Sequence, residues 1–209
     1  MTPTQIETMA RRQYNAVGDT FYSSEEIMDY IYKAQMEFCK YTFMLKKTYE
    51  TVTVAGQSEY PMPSNTISIK RIELNGEKVE PISFRENDDI VIANDPTTTL
   101  DYSGWYYEWG KSFFFSTTPA TAGLTIKAFV YAMPQPVTIT STIEIPEEYH
   151  IDIVTFVNYM MAMKDENGAA AGNYQNTWLV ALREARKLER RKLRCDSFAS
   201  VQLEGVYGY

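Results

Sequence analysis

Apolar residues recur with a helical period at both ends of the chain and with a strand period between them. Ile6, Met9, Ala10 and Val17 mark a weak stripe over residues 4–17, which Gly18-Asp19 breaks. Ser23, followed by Glu26, has the spacing of a capping box that satisfies free amide donors at a helix start. Behind it Ile27, Tyr30, Ile31, Ala34, Phe38, Tyr41 and Leu45 fall at i, i+3 and i+4, the pattern of an amphipathic helix. The period then changes. Val52 and Val54 alternate with Thr51 and Thr53, as in a strand. Ile67 and Ile69 share one parity while Ile72 and Leu74 take the other, a phase slip that predicts a bulge near Lys70-Arg71. Asn75-Gly76 is a two-residue hairpin turn, because both central positions need positive φ.

Further along, Glu86-Asn87-Asp88-Asp89 is compatible with the start of a helical turn, and Asn94-Asp95-Pro96 reads as a loop. Trp105–Trp109 and Ser112–Phe115 flank Gly110-Lys111, a second hairpin. Leu124, Ile126, Ala128 and Val130 alternate with Thr125, Lys127, Phe129 and Tyr131 in a further strand. Val137, Ile139, Ile143 and Ile145 keep one parity through a last extended stretch. Pro146 opens a helix where its missing donor costs little, with Glu147 and Glu148 at the positive end of the dipole. Ile153, Phe156, Val157, Met160 and Met161 form its apolar face. Gly168 and Gly172 bracket a break. A final helix then runs from Asn173 to Arg194 with Trp178, Leu182, Ala185 and Leu188 on one stripe.

Helices at both ends and strands in the middle make the fold class α+β. The expected plan is a helical bundle from residues 1–46 and 146–194, an inserted antiparallel β lobe over 47–145, and an extended tail over 195–209. Neither helical end has enough apolar surface to stand alone, so the two pack together. At 209 residues and 44% hydrophobic composition the chain can bury a full core.

Charge and chemistry narrow the function. A net charge of -7 argues against a nucleic-acid partner bound over the whole surface, since phosphate binding needs a basic footprint. It fits a pore wall that repels DNA, and it equally fits ordinary solubility. Cys39 and Cys195 are the only cysteines and make no disulfide framework, so synthesis in a reducing cytoplasm is expected. No signal pattern or long apolar run is present, which excludes a standard export signal and a membrane span. His150 is the single histidine. With Glu147 it has Glu-x-x-His spacing, but a dinuclear site needs that motif twice and zinc needs more ligands. It is expected instead to be hydrogen-bonded between helix and sheet. Asp88-Asp89 and Glu147-Glu148 are conspicuous carboxylate pairs, yet neighbouring residues diverge on a strand or helix, so turn and cap roles account for them. Phosphate-loop and nucleophile-elbow motifs are absent. No catalytic, cofactor or metal residues are assigned, and the protein is read as no enzyme.

Two features suit binding. Tyr (16), Phe (10) and Trp (3) are abundant, and the Tyr102–Phe115 cluster serves either core and subunit packing or a stacking platform built on Trp105, Tyr106 and Trp109. Arg183, Arg186, Lys187, Arg190, Arg191, Lys192 and Arg194 are opposed only by Glu184 and Glu189, more cations than a helix dipole needs. Beyond them Phe198, Val201, Leu203, Val206, Tyr207 and Tyr209 are too apolar for a free tail.

Taken in order, these segments resemble the head-to-tail adaptor family of short-tailed phages, the connector-ring proteins that include tail tubular protein A and crAss-like phage ring proteins. The similar stretches are Glu25–Leu45, YETVTVAGQSEYPMPSNTISIKRIELNG, FFFSTTPATAGLTIKAFVYAMP and IPEEYHIDIVTFVNYMMAMKDENGAAAGNY, together spanning residues 24–194. The 86–110 stretch and the C-terminal tail depart from the pattern. The resemblance implies a virion protein at the head–tail junction, a ring of about twelve copies of itself, and no chemistry. Portal protein and other tail or ring proteins are its partners, with genomic DNA passing through the lumen without specific binding. On this reading Arg186, Arg190, Arg191, Arg194, Phe198, Val201, Leu203, Val206, Tyr207 and Tyr209 form the portal interface. The alternatives are a carbohydrate-binding module of a tail fibre or baseplate and, further off, a peptidoglycan hydrolase using carboxylates.

Overall fold

The computed structural model describes residues 1–87 and 104–204, with side chains as far as Lys192. Chain contacts divide into two compact units, residues 1–45 with 133–209 and residues 46–132. The fold is α+β.

The first unit is helical. α1 (Pro3–Gln13) starts at a full capping box: Thr2 Oγ1 accepts from the Gln5 amide and the Gln5 side chain accepts from the Thr2 amide. It ends sooner than the sequence stripe indicates, with Asn15 at φ 56 and Val17 in solvent. α2 (Ser24–Thr42) is capped by Ser23 as expected. The return bond is not made, because the Glu26 carboxylate goes instead to Lys164 at 2.6 Å and to the Tyr30 hydroxyl. Ile27, Tyr30, Ile31, Ala34, Phe38 and Cys39 are buried along it. Phe43, at φ 56, ends the helix before Leu45.

A 3-10 turn over Glu147–Tyr149 leads into α3 (His150–Lys164). This helix packs against α1, α2 and the last helix, so Val154, Asn158 and Ala162 are buried in addition to Ile153, Phe156, Val157 and Met161. The expected break at Gly168 and Gly172 falls earlier, at Asp165–Asn167, where Glu166 adopts φ 56. Asn167 then caps α4 (Gly168–Glu204), and Gly172 lies inside it. Trp178 fills the junction of the three helices, its ring 4.8 Å from both Phe38 and Phe156, with its indole N–H donated to Glu37. Leu182 and Ala185 continue the stripe. The next buried position is Glu189, whereas Leu188 is exposed. α4 also runs past Arg194, where the sequence reading starts an extended tail. Residues 195–204 hold neither Gly nor Pro, and nothing local stops the helix before Gly205.

The second unit is a seven-stranded sheet in the order β1-β7-β3-β4-β5-β6-β2. Its strands are β1 (Lys46–Val52), β2 (Glu59–Pro61), β3 (Thr66–Leu74), β4 (Glu77–Pro81), β5 (Trp105–Trp109), β6 (Ser112–Phe115) and β7 (Thr125–Ala132). The β3–β4 hairpin turns at Asn75-Gly76 with φ 51 and 89, and the β5–β6 hairpin at Gly110-Lys111. The pairing of β3 with β7 shifts register between Ile69 and Arg71, where the phase slip puts the bulge. The lobe is not wholly antiparallel as expected. β4 pairs with β5 in parallel, through Glu80–Trp105 and Pro81–Tyr106. Parallel neighbours need a long crossover, which the segment between Pro81 and Trp105 provides.

β1 and β2 are opposite edges of this order, yet only residues 53–58 join them. Laid flat, seven strands would put those edges about 29 Å apart at ~4.8 Å per spacing, while the chain from Val52 to Glu59 reaches about 25 Å fully extended. Gly56, at φ 79, shortens it further. The sheet therefore curls. Thr53 is pinned by hydrogen bonds to Thr121 and Leu124, and the Tyr60 hydroxyl bonds to Val54 and Gln57. Inside lies one core made by Tyr60, Ile72, Leu74, Val79, Tyr106, Phe113, Phe115, Ile126, Ala128 and Val130. The parity of β1 is the reverse of an apolar-in strand end: Thr53 is buried and Val52 and Val54 face solvent. Residues 133–146 form no strand. The parity of Val137 to Ile145 is interrupted by a turn in which the Ser141 amide bonds to the Thr138 carbonyl.

Candidate functional site

The basic stretch of α4 is less uniform than its sequence. Arg186 lies over the Tyr41 ring at 4.6 Å, a cation–π contact that ties α4 to α2. Lys187 pairs with Glu184 at 2.6 Å, which holds that carboxylate below its ordinary range. Lys192 pairs with buried Glu189 at 2.8 Å and reaches towards Glu148 at 3.9 Å. Arg183, Arg190 and Arg191 remain exposed, with no ion pair among the described residues. Beside them an open groove of about 440 Å³ runs between the start of α3 and α4, lined by Tyr149, Asp152, Leu188 and Arg191. Burial raises the Asp152 carboxyl, and burial together with Glu148 pushes the Tyr149 phenol up to about 12. Of the remaining expected interface residues, Arg194, Phe198, Val201 and Leu203 sit on the helical backbone of α4. Val206, Tyr207 and Tyr209 lie outside the described residues.

His150 is buried in the first turn of α3. Its Nε2 bonds to the Ile145 carbonyl at 3.0 Å and its Nδ1 faces the Met1 ammonium at 2.7 Å, so the proton belongs on Nε2. The acceptor is a loop carbonyl and not a sheet. Burial lowers its pKa below the ordinary 6.5. No group of three metal-ligating side chains occurs among the described residues. Asp88-Asp89 lies outside those residues.

The aromatic hairpin divides by strand parity. Tyr106, Phe113 and Phe115 face the core of the lobe, and Tyr106 is removed from any surface platform. Trp105, Tyr107, Trp109 and Phe114 take the other face. Tyr107 stacks on Phe114 at 5.2 Å with rings 6° apart, and Phe84 covers Tyr107 and Trp109 at 5.6 and 4.9 Å. Trp109 is 62% exposed and Phe84 45%. Phe84 escapes a period-based reading because it comes from another element. Its signal is Ser83…Glu86, a capping box in which each partner bonds the other's amide and so sets the helical turn that carries Phe84. Glu59 pairs with Phe114 across the strands and stands on this outer face.

On the outer face of β7 and its neighbours a shallow groove lies along Phe129 and Tyr131, walled by Lys46 and Lys70. Arg71 and Lys127 stand nearby, paired with Glu73 and with Glu50 respectively. Neither Lys46 nor Lys70 has a side-chain partner among the described residues.

Among protein-family models, one described as SU10 adaptor protein matches residues 1–200. No curated protein matches the chain.

Proposed function

The chain belongs to the SU10 adaptor protein family, and from that premise we propose that it is a head-to-tail adaptor, one subunit of a ring between portal and tail. It is a structural phage protein, a component of the virion. About twelve copies would close around the channel through which genomic DNA passes. A chain of net charge -7 suits that lumen, because an acidic wall repels phosphates and lets DNA slide. Portal protein lies on one side of the ring and further tail or ring proteins on the other. The reading assigns no catalytic step and no cofactor.

The observation that carries the docking surface is the run of α4 beyond the bundle stripe. After Glu189 the helix continues to Glu204 with Arg190 and Arg191 in solvent. On a continuous helix Arg190, Arg194, Phe198 and Val201 recur at helical spacing, cations first and apolar residues after. With Arg186 at the base and Leu203, Val206, Tyr207 and Tyr209 at the end, this segment fits an acidic-rimmed apolar groove on the portal. Removing residues 197–209 tests it. The truncated protein is expected to lose from its circular dichroism only the helical signal of residues 197–204, to keep its unfolding midpoint and to lose most of its co-sedimentation with portal. Undiminished attachment would sink the assignment.

The exposure of Trp109 and Trp105 on one face of the hairpin favours the carbohydrate-binding alternative. That reading requires retention of purified host surface polysaccharide by the intact protein, and loss of retention on Trp109→Ala.

A further inference from the structure

We propose that the outer aromatic face of β5–β6 is a lateral contact of the ring, and that its occupant is the Lys46–Lys70 groove of a second copy of this chain. The inference rests on the ring reading and names its surface. In a seven-stranded sheet curled until β1 approaches β2, the outer faces of β5–β6 and of β7 point to opposite sides of the lobe. One side offers the exposed rings of Trp109 and Phe84 and the Glu59 carboxylate, which has no ion pair among the described residues. The other offers the ammonium groups of Lys46 and Lys70, without an ion pair among the described residues, in the groove that Phe129 and Tyr131 line. Cations meet ring faces and a carboxylate, and apolar floor meets apolar edge. An exposed aromatic patch of this kind marks a contact site. Because the two patches differ and lie on opposite sides, copies join head to tail, and such contacts close into rings when the rotation allows.

Two double variants separate the patches. Phe84→Ala with Trp109→Ala spoils one side, and Lys46→Glu with Lys70→Glu spoils the other. All four side chains are exposed, so both proteins are expected to keep the wild-type circular dichroism. Should the charge reversal disturb folding, Lys46→Gln with Lys70→Gln removes the same cations without adding carboxylates. Each variant alone, incubated with portal, is expected to lower the ring-assembled fraction in sedimentation velocity at least about tenfold, the effect of ~1.4 kcal/mol per contact. Mixed in equal amounts without portal, the two have one good face each and give dimers that grow no further. Variants that assemble like wild type overturn the surface and leave the ring reading standing. Wild-type protein that never associates, even on portal, overturns both. Polysaccharide bound through Trp109, with rings unaffected by either variant, assigns the aromatic face to a sugar and also overturns the proposal.

Discussion

Trp178 is the side chain on which the helical unit converges, since its ring touches Phe38 from α2 and Phe156 from α3 while its N–H reaches Glu37. Trp178→Ala removes those contacts and leaves a cavity, at a cost of about 3–5 kcal/mol, readable as a lower urea midpoint with an unchanged slope. Trp178→Phe keeps the ring contacts and loses the Glu37 bond, so it should cost less. His150 sets a second residue-level expectation. Its folded pKa lies below the ordinary 6.5, so the unfolded chain takes up the proton first as pH falls. Stability contributed by the neutral imidazole is complete above 6.5 and drains away as pH falls towards the lower folded value. His150→Gln should flatten that slope in denaturant titrations between pH 7 and 5. An unchanged slope would place its origin elsewhere. The free cations of α4 belong to this scale too. Their number was plain in the sequence, but which of them are occupied was not, because Tyr41, Glu148 and Glu189 come from other turns and other helices.

At the scale of elements, turns were the most legible part of the fold. Asn75-Gly76 turned out as the sequence has it because only residues that tolerate positive φ suit both positions. Gly76, at φ 89, is the position to test: Gly76→Ala strains the backbone in a place with open space around it, and should cost about 1 kcal/mol or more in thermal unfolding. A Gly76→Asn change should cost less, since Asn enters the left-handed region more readily. The phase slip in β3 was equally readable, because period and bulge are both local. What failed depended on distant partners. The parallel β4–β5 pair is set by a crossover whose residues show no period. The parity from Val137 to Ile145 suggests a strand, but Pro134 and Pro136 withhold ladder donors and the Thr138–Ser141 turn intervenes. The stripe of α4 goes to Glu189 and not Leu188, as a 3.6-residue period requires after Trp178, Leu182 and Ala185, and Lys192 compensates the buried carboxylate. Ser23…Glu26 has the same spacing as Thr2…Gln5. Only the latter closes its capping box, because Lys164 claims Glu26.

For the whole molecule, the decisive feature is that the residues of one compact unit are inserted in the sequence between the two segments of the other. The family and the α+β class could be read from the order of segments, whereas the proposed lateral face rests on pairings that no local pattern reveals: β4 beside β5, which brings Phe84 to the β5–β6 hairpin, and β1 and β3 beside β7, which gather Lys46 and Lys70. The proposed portal contact of α4 also carries a salt dependence. Ion pairs at exposed arginines weaken as ionic strength rises, so portal attachment should fall more steeply between low and high salt than the global unfolding midpoint does. The same insertion in sequence dictates an order in time. Translation delivers residues 46–132 in full before α3 and α4 exist, so the curled sheet has every strand it needs while α1 and α2 still lack the helices that cover them. The last strand made before that point, β7, is also the one that pairs with both β1 and β3. Closure of the sheet therefore waits for Ala132 and then involves contacts far apart in sequence, the slow kind. A nascent chain stalled with Ala132 just clear of the ribosome should protect amides in β3 and β7 from exchange while protease still cuts within residues 3–42. Maturation proceeds from the inside of the chain outwards, and the helical ends join last.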